Sequence, residues 1–219
     1  MIEIHVVRRD NSHLYTEELE QYFRARYQIY VCERGWMDLD RPDGREIDQF
    51  DTPEASHLLA LDNGRVVGGH RFNPSIGPTL LNEVFPQLSL LPLARSPDVY
   101  ETTRLWVAKE QRGRYAHPSV ESLLLAGTME FALALKLRHI RVIFETWWLS
   151  RFQSIGWKLH PLGVPQDING LNCVAVLKDV SEAIWMETCI KRSVAGPVLI
   201  WNGTARPSYR LPELLPAVA

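Results

Sequence analysis

A hairpin signal around residue 63 constrains the fold of this 219-residue chain more than any other feature. The segments SHLLALD at 56–62 and RVVGGHRF at 65–72 are predicted strands, and Asn63-Gly64 joins them. Asn-Gly favours the tight turn that connects two antiparallel strands. A sheet that contains this hairpin cannot be wholly parallel, so the pattern argues against a doubly wound parallel fold.

Further strands alternate with helices along the chain. The sequence predicts strands at 2–7, 99–108, 139–146 and 172–180, and helices at 16–31, 80–85, 118–137, 148–156 and 181–193. This alternation predicts an α/β fold, a three-layer α-β-α sandwich around a mixed, twisted central sheet. We find no internal repeat and no linker, so residues 1–219 are predicted to form a single domain with an irregular C-terminal tail at 194–219.

Charge and cysteine usage limit the classes of function. The formal net charge is -2 at pH 7, whereas nucleic-acid-binding domains are usually basic, so we predict no nucleic-acid partner. There is no run of about 18 apolar residues, and no membrane span is predicted. Cys32, Cys173 and Cys189 have no C-x-x-C spacing, which favours reduced thiols and a cytoplasmic protein.

A buried arginine is predicted on the first helix. Apolar residues recur there at spacings of three and four and form a buried stripe: Leu19, Tyr22, Phe23, Tyr27 and Tyr30. Arg26 lies in this stripe, and a buried guanidinium needs a carboxylate partner. Asp48 and Asp51 are the nearest candidates in sequence. The arginine could be a structural ion-pair partner, or it could order an acid that binds a ligand.

The loop after this helix is rich in carboxylates: Asp38, Asp40, Asp43, Glu46, Asp48 and Asp51. The first three are expected to be solvated. Asp48 and Asp51 flank Phe50, which implies partial burial, and these acids could hold an amine or ammonium group. The spacing of the oxygen ligands does not match a calcium loop, so no metal site is predicted.

The strand VYETTRLWVA carries Glu101 and Arg104. Strict alternation of side chains places these two residues on opposite faces of the sheet. They can act together only if a β-bulge intervenes or if they serve different parts of a site. The apolar neighbours of Glu101 suggest burial, which would raise its pKa towards the range of a general base.

The segment VAKEQRGRYAHPSVES at 107–122 is predicted to form a strand, a basic loop and a helix N-terminus. It is similar to the region where acetyltransferases of the GNAT superfamily bind pyrophosphate through an R-x-x-G-x-G/A loop. Arg112 starts this motif, but Tyr115 and His117 occupy the positions of the glycines. The architecture is therefore GNAT-like, while the motif disfavours a standard acetyltransferase.

Taken together, these residues resemble the acyl-homoserine-lactone synthases, the LuxI-type autoinducer synthases. The similarity rests on RYQIY at 26–30, Trp36, EIDQFD at 46–51, GHR at 69–71, Phe85 and ETTR at 101–104. It covers about half of the chain. Tyr30 replaces the usual Phe, and Thr103 replaces the usual Ser while keeping a hydroxyl.

This resemblance implies an enzyme, an acyltransferase that makes a quorum-sensing signal. The amine of S-adenosylmethionine attacks an acyl thioester, and the methionyl carboxylate then closes the lactone and releases methylthioadenosine. Both molecules are substrates, so no cofactor is implied. The resemblance implies the catalytic residues Glu101, Arg104 and Asp48, and the substrate-binding residues Arg26, Tyr30, Trp36, Asp51, Arg71, Phe85 and Thr103. Glu101 is our candidate for the base that deprotonates the amine, acting directly or through a water.

The acyl donor is predicted to be acyl-CoA. Most of the family resembles users of acyl-carrier protein, but ETWWL at 145–149 and GVPQDINGLN at 163–172 look like a branch that uses branched or aryl acyl-CoA. Trp147 and Trp148, with Thr146, are predicted to form an acyl pocket for a short chain. For either tryptophan alone, an ordinary core position is the favoured interpretation.

Three alternatives remain open on the sequence alone. The chain could be a GNAT-type acyl-CoA N-acyltransferase that acts on another amine. It could be the same synthase with acyl-carrier protein as the donor. It could also be a sensor that binds S-adenosylmethionine without consuming it.

Overall fold

The computed structural model describes residues 1–113, 118–209 and 211–212, and within them the chain forms nine strands and five α-helices. The strands are β1 (Ile2–Val7), β2 (Ser56–Asp62), β3 (Arg65–Pro74), β4 (Val99–Val107), β5 (His139–Glu145), β6 (Leu159–Pro161), β7 (Gln166–Ile168), β8 (Leu171–Asp179) and β9 (Leu199–Ile200). The helices are α1 (Thr16–Tyr27), α2 (Leu80–Glu83), α3 (Val120–Ala134), α4 (Trp148–Ser154) and α5 (Glu182–Arg192).

All nine strands belong to one sheet, in the order β6-β8-β5-β4-β3-β2-β1-β9, with β7 also paired to β8. The β4–β5 and β1–β9 pairs are parallel and the other pairs are antiparallel. The predicted hairpin is β2–β3, where Asn63 and Gly64 have φ values of 50° and 79°. Both residues of the tight turn therefore lie in the left-handed region that Asn and Gly tolerate best.

Helices cover both faces of the sheet. On one face, Tyr22 of α1 packs with Leu59 and Trp106, and Leu81 of α2 belongs to a smaller cluster with Leu88 and Ala175. On the other face, α3, α4 and α5 share one apolar core, to which α5 contributes the buried Trp185. This arrangement confirms the predicted three-layer sandwich and its mixed sheet.

The sequence predicted an irregular C-terminal tail, but part of the tail forms a strand. Leu199 and Ile200 form β9, which pairs with β1. Glu130 of α3 accepts hydrogen bonds from the backbone N–H groups of Val198 and Leu199 and so fixes this short strand. Two residues are too few to show a strand period in the sequence, which explains the error.

The first helix also ends earlier than predicted. Regular α-helix stops at Tyr27, and Gln28–Glu33 continue as a π-helical turn. The wider turn carries Tyr30 toward the sheet, where its hydroxyl donates to the carbonyl of Leu105 at 3.3 Å. Such turns are frequent at functional sites.

Candidate active site

The central strands part beside a cavity. β4 and β5 pair only from Val99 to Thr102 and from His139 to Val142, and beyond these residues the strands separate. A cavity of about 400 Å³ reaches both faces of the sheet at this point. Its wall on the α1 side includes Tyr30, Trp36 and Phe50, and its wall on the α3 side includes His70, Leu125, Phe152 and Lys178.

A β-bulge in β4 shapes the wall of this cavity. Arg71 pairs with Thr103 and Gly69 pairs with Trp106, so β4 has one more residue than β3 in this interval. Arg104 takes a φ of 58° to accommodate it. The bulge breaks strict alternation, so Glu101 and Arg104 lie on the same face of the sheet, which was one of the two conditions for their acting together.

Six charged side chains on the α1 side form a closed structure that we call the ion-pair ring: Arg26, Glu46, Arg104, Asp48, Arg71 and Asp51. Arg26 Nε donates to Glu46 at 2.5 Å, and its two Nη atoms donate to Asp51 at 2.7 and 2.9 Å. Arg26 thus joins two carboxylates that are separated by five positions in the loop.

The other two arginines complete the ion-pair ring. Arg104 donates to Glu46 at 2.9 and 3.0 Å and to Asp48 at 2.9 Å. Arg71 donates to Asp48 at 2.5 and 2.9 Å, and its Nη1 lies 2.8 Å from Asp51. Each carboxylate bridges two arginines, so the formal charges of the ring sum to zero. Buried charges are tolerated when they are paired in this way.

The arginines keep the buried carboxylates ionised. Burial raises the pKa of Glu46, but hydrogen bonds and charges from Arg104 and Arg26 outweigh this effect and lower it to about 2. The pKa of Asp51 is likewise held far below its usual range, because Arg26 and Arg71 overcome the effect of burial. Glu46 and Asp51 are therefore charged at neutral pH.

The family of the chain follows from its similarity to known proteins. The family model of the autoinducer synthases matches residues 10–202. An isovaleryl-homoserine lactone synthase of Bradyrhizobium diazoefficiens is 39% identical over 178 residues, which are 81% of this chain and 80% of that protein. The chain belongs to the autoinducer synthase family. The predictions of an acyl-homoserine-lactone synthase and of an acyltransferase are thereby confirmed.

Solved structures agree with this assignment. A CoA-dependent acyl-homoserine lactone synthase, BjaI, solved with SAM and isopentyl-CoA, has a TM-score of 0.88 and 34% identity over 94% of this chain and 95% of its own. A second CoA-dependent synthase, MesI, has a TM-score of 0.83 and 36% identity over 90% of this chain and 98% of its own. ElaA of Escherichia coli and a Lactobacillus plantarum protein described as an N-acetyltransferase share the fold alone, at 18% identity and TM-scores of 0.56.

The synthase exposes only part of the predicted substrate-binding set to the cavity. Six of the predicted residues line it: Tyr30, Trp36, Asp48, Phe85, Thr103 and Arg104. Arg26, Arg71 and Asp51 do not line it, and their side chains are 0%, 0% and 2% exposed. They lie beneath the wall and, through the ion-pair ring, hold Asp48 and Arg104 in place. Their predicted role as substrate contacts stays a prediction.

The partners of Arg26 were predicted in part. Asp51 pairs with it as expected, but Asp48 instead pairs with Arg71 and Arg104. Glu46 was not among the predicted site residues, although it begins the EIDQFD segment on which the resemblance rests. The signal for Glu46 was therefore present in the sequence.

Glu101, the predicted base, lies outside the cavity wall. Its side chain is buried, and its two carboxylate oxygens accept hydrogen bonds from the backbone N–H groups of Leu80 at 2.7 Å and Leu81 at 3.1 Å. Burial raises the pKa of Glu101 above its usual value, although these hydrogen bonds act in the opposite direction. Leu80 does line the cavity. Glu101 therefore anchors α2 against the wall and can reach a substrate only through an intermediary.

One of the two tryptophans predicted for the acyl pocket lines the cavity. Trp148 lines the cavity, whereas Trp147 is 47% exposed and stacks on the outer side of Trp148 with 4.5 Å between ring centroids. Its indole N–H donates to Glu145 at 2.6 Å. Thr146 is absent from the cavity wall. Trp147 sits at the solvent-exposed start of α4, so it supports Trp148 and does not contact the pocket.

The synthase has a second cavity, of about 500 Å³, that adjoins the first. The two share four lining residues: Tyr30, Arg34, Leu105 and Trp148. The second cavity also includes Arg112 and Ser119, and Ser119 caps α3 by accepting from the N–H of Ser122. Tyr115 and His117, which replace the glycines of the pyrophosphate loop, lie outside the described residues.

Two findings limit other kinds of site. Within residues 1–113, 118–209 and 211–212, no group of three or more His, Cys, Asp or Glu side chains is arranged to hold a metal ion. No helix in the same ranges has the length and apolar character needed to cross a bilayer. The absence of a cofactor stays a prediction.

Proposed function

We propose that the synthase joins S-adenosylmethionine to a short branched or aryl acyl group delivered as acyl-CoA. The observation that carries this proposal is the pair of adjoining cavities, one at the parting of β4 and β5 and the other at the N-terminus of α3. A donor of this kind needs room for an acyl chain and a separate place for its nucleotide. The relatives support it, because one is named for isovaleryl-homoserine lactone and another was solved with isopentyl-CoA.

The second cavity suits the phosphates of CoA. Its wall contains the N-terminus of the 15-residue helix α3, where backbone N–H groups favour anions. Arg112 and Arg151 also line it and are held in place by Glu33 at 2.9 Å and Glu121 at 2.8 Å. We assign the nucleotide end of acyl-CoA to this cavity.

The α1 side of the first cavity suits S-adenosylmethionine. Tyr30 and Trp36 stack with 5.1 Å between ring centroids and offer aromatic surface to an adenine or a sulfonium. Asp48 is 12% exposed and is the carboxylate of the ion-pair ring that reaches the wall. We assign the substrate ammonium to Asp48 and the substrate carboxylate to Arg104, which also lines the wall.

The proposed reaction has two steps. The amine nitrogen forms a bond to the thioester carbon, the carbon–sulfur bond breaks, and CoA leaves as its thiol. The methionyl carboxylate oxygen then attacks the γ-carbon, the bond to the sulfonium breaks, and methylthioadenosine leaves as the lactone closes. The amine must lose a proton before the first attack. We keep Glu101 as the proposed acceptor, through a water, because burial raises its pKa whereas the pKa values of Glu46 and Asp51 are lowered.

Mass spectrometry of the products tests this function. Purified protein with S-adenosylmethionine and isovaleryl-CoA should yield isovaleryl-homoserine lactone, methylthioadenosine and free CoA in equal amounts. Release of CoA onto a different amine, without methylthioadenosine, would instead identify an N-acyltransferase. Binding of S-adenosylmethionine without any product from a panel of acyl-CoA and acyl-carrier-protein thioesters would identify a sensor.

A further inference from the structure

A lysine lies at the closed end of the first cavity. Lys178 on β8 lines the cavity, and the residue as a whole is only 1% exposed. It pairs with Ile140, two residues before the last β4–β5 contact at Val142. Two strand residues span about 7 Å. Lys178 therefore lies deeper than the point where the strands part, on the side of the sheet that faces α3 and α4.

Two aromatic rings lie against the Lys178 ammonium. Its Nζ lies 4.7 Å from the ring centroid of Phe152 and 4.5 Å from that of Trp157. Among the described residues it has no ion-pair partner within 4.0 Å. Burial lowers its pKa to about 7. A buried ammonium that retains free N–H donors is costly unless an acceptor reaches it.

A histidine on the same wall offers the complementary group. His70 lines the cavity, and its Nδ1 lies 2.9 Å from Thr128 Oγ1. Thr128 Oγ1 donates its own hydrogen to the carbonyl of Leu124 at 2.8 Å, so it must accept from His70 Nδ1–H. His70 Nε2 is then an acceptor. Burial, with a contribution from the charge of Lys178, lowers the pKa of His70 well below its usual value and keeps the ring neutral.

We propose that Lys178 and His70 select an acyl chain that carries a hydroxyl group at its far end. A hydroxyl oxygen accepts from the Lys178 ammonium while its hydrogen is donated to His70 Nε2, so one group satisfies both. A carboxylate would satisfy Lys178 but would face the lone pair of His70. The aromatic walls formed by Phe144, Trp148 and Phe152 favour an aryl ring between the thioester and the hydroxyl. This inference rests on the proposed acyl-CoA function.

A matched pair of donors tests the inference. We would compare kcat/KM for 4-hydroxycinnamoyl-CoA and cinnamoyl-CoA, which differ in one hydroxyl, with lactone and methylthioadenosine as the readout. The wild-type protein should favour the hydroxylated donor by about 10-fold or more, because the alternative leaves buried polar groups unpaired. Lys178→Met, which keeps length and removes the donor, should reduce this ratio to about 1. Lys158→Met, at an exposed lysine away from the cavity, should keep the wild-type ratio.

The outcomes separate this inference from the function on which it rests. Equal kcat/KM values for the two donors in the wild-type protein would overturn the role of Lys178 while leaving the synthase function intact, and this measurement needs no variant. A preference that survives in Lys178→Met, with a melting curve like that of the wild type, would overturn it too. Lactone formation from no acyl-CoA, including isovaleryl-CoA, would contradict the proposed function itself.

Discussion

The two sides of the active-site cavity differ in whether their charged side chains are paired. On the α1 side, three arginines and three carboxylates satisfy one another in the ion-pair ring. On the α3 side, Lys178 lies among aromatic rings without an anionic partner in the described chain. The ring is complete before a substrate arrives, whereas the lysine has hydrogen-bonding capacity left for one. Under the proposed function, the first region positions S-adenosylmethionine and the second selects the acyl chain.

Breaking the ion-pair ring is expected to have the largest effect. Asp48→Asn removes the charge that pairs with both Arg71 and Arg104, and it leaves two buried guanidinium groups undercompensated. We expect a loss of about 3 kcal/mol of stability and of at least about 100-fold in turnover. Thermal melting with and without S-adenosylmethionine measures the first effect. Asp43→Asn, at an exposed acid in the same loop, is the control.

Unchanged melting of Asp48→Asn, together with an unchanged shift on adding S-adenosylmethionine, would show that the ring is not a cooperative unit. It would also remove the proposed contact between Asp48 and the substrate ammonium.

The role of Glu101 is expected to show in a pH profile. A base acts in its deprotonated form, so the rate should rise with pH as Glu101 titrates through its raised pKa. Glu101→Gln should lower kcat by roughly 100-fold and abolish this acidic limb. If the acidic limb persists in the variant, Glu101 serves only to anchor α2 through Leu80 and Leu81. Glu3→Gln, on the exposed surface of β1, controls for the loss of a carboxylate.

Acid should weaken the ion-pair ring as Glu46 becomes protonated. The pKa of Glu46 is lowered from 4.5 to about 2 in the folded protein, so its contribution to stability is complete above pH 4.5. That contribution, about 3 kcal/mol, should be lost as the pH falls from 4.5 to 2. Urea unfolding across this range measures it. Glu46→Gln should flatten the dependence, and an equally steep loss in that variant would contradict the assignment.

Replacing Trp148 should have the smallest effect. Trp148→Ala removes part of the cavity wall and should lower discrimination against longer acyl-CoA chains by about 10-fold. Trp147→Ala is the matched control, because its ring lies outside the cavity. The ratio of kcat/KM for isovaleryl-CoA and octanoyl-CoA measures the change. An equal effect of the two substitutions would show that the stack acts as one structural unit.

The sequence predicted the elements of the fold better than the contacts between them. The Asn63-Gly64 hairpin and the burial of Arg26 follow from local patterns, namely turn chemistry and helical spacing. The bulge at Arg104 does not, because one extra residue in β4 is defined by its register against β3. The exclusion of Arg26, Arg71 and Asp51 from the wall depends likewise on the packing of distant segments.

The acyl side of the cavity was the least predictable part. Trp147 and Trp148 are adjacent and chemically identical, and only the start of α4 decides which ring faces inward. Lys178 lies one residue before the end of β8, after a run of apolar residues, and the sequence pattern there is typical of a solvated lysine. Its burial depends on Phe152 and Trp157, which lie more than twenty residues earlier in the chain.

A direct comparison of acyl donors tests the central claim that the cavity accepts a short acyl group from CoA. The measurement is kcat/KM for lactone formation with isovaleryl-CoA, isovaleryl-acyl-carrier protein and dodecanoyl-CoA at saturating S-adenosylmethionine. We predict that isovaleryl-CoA exceeds each of the others by about 10-fold or more. A clear preference for the carrier-protein thioester, or for the long chain, would contradict the account.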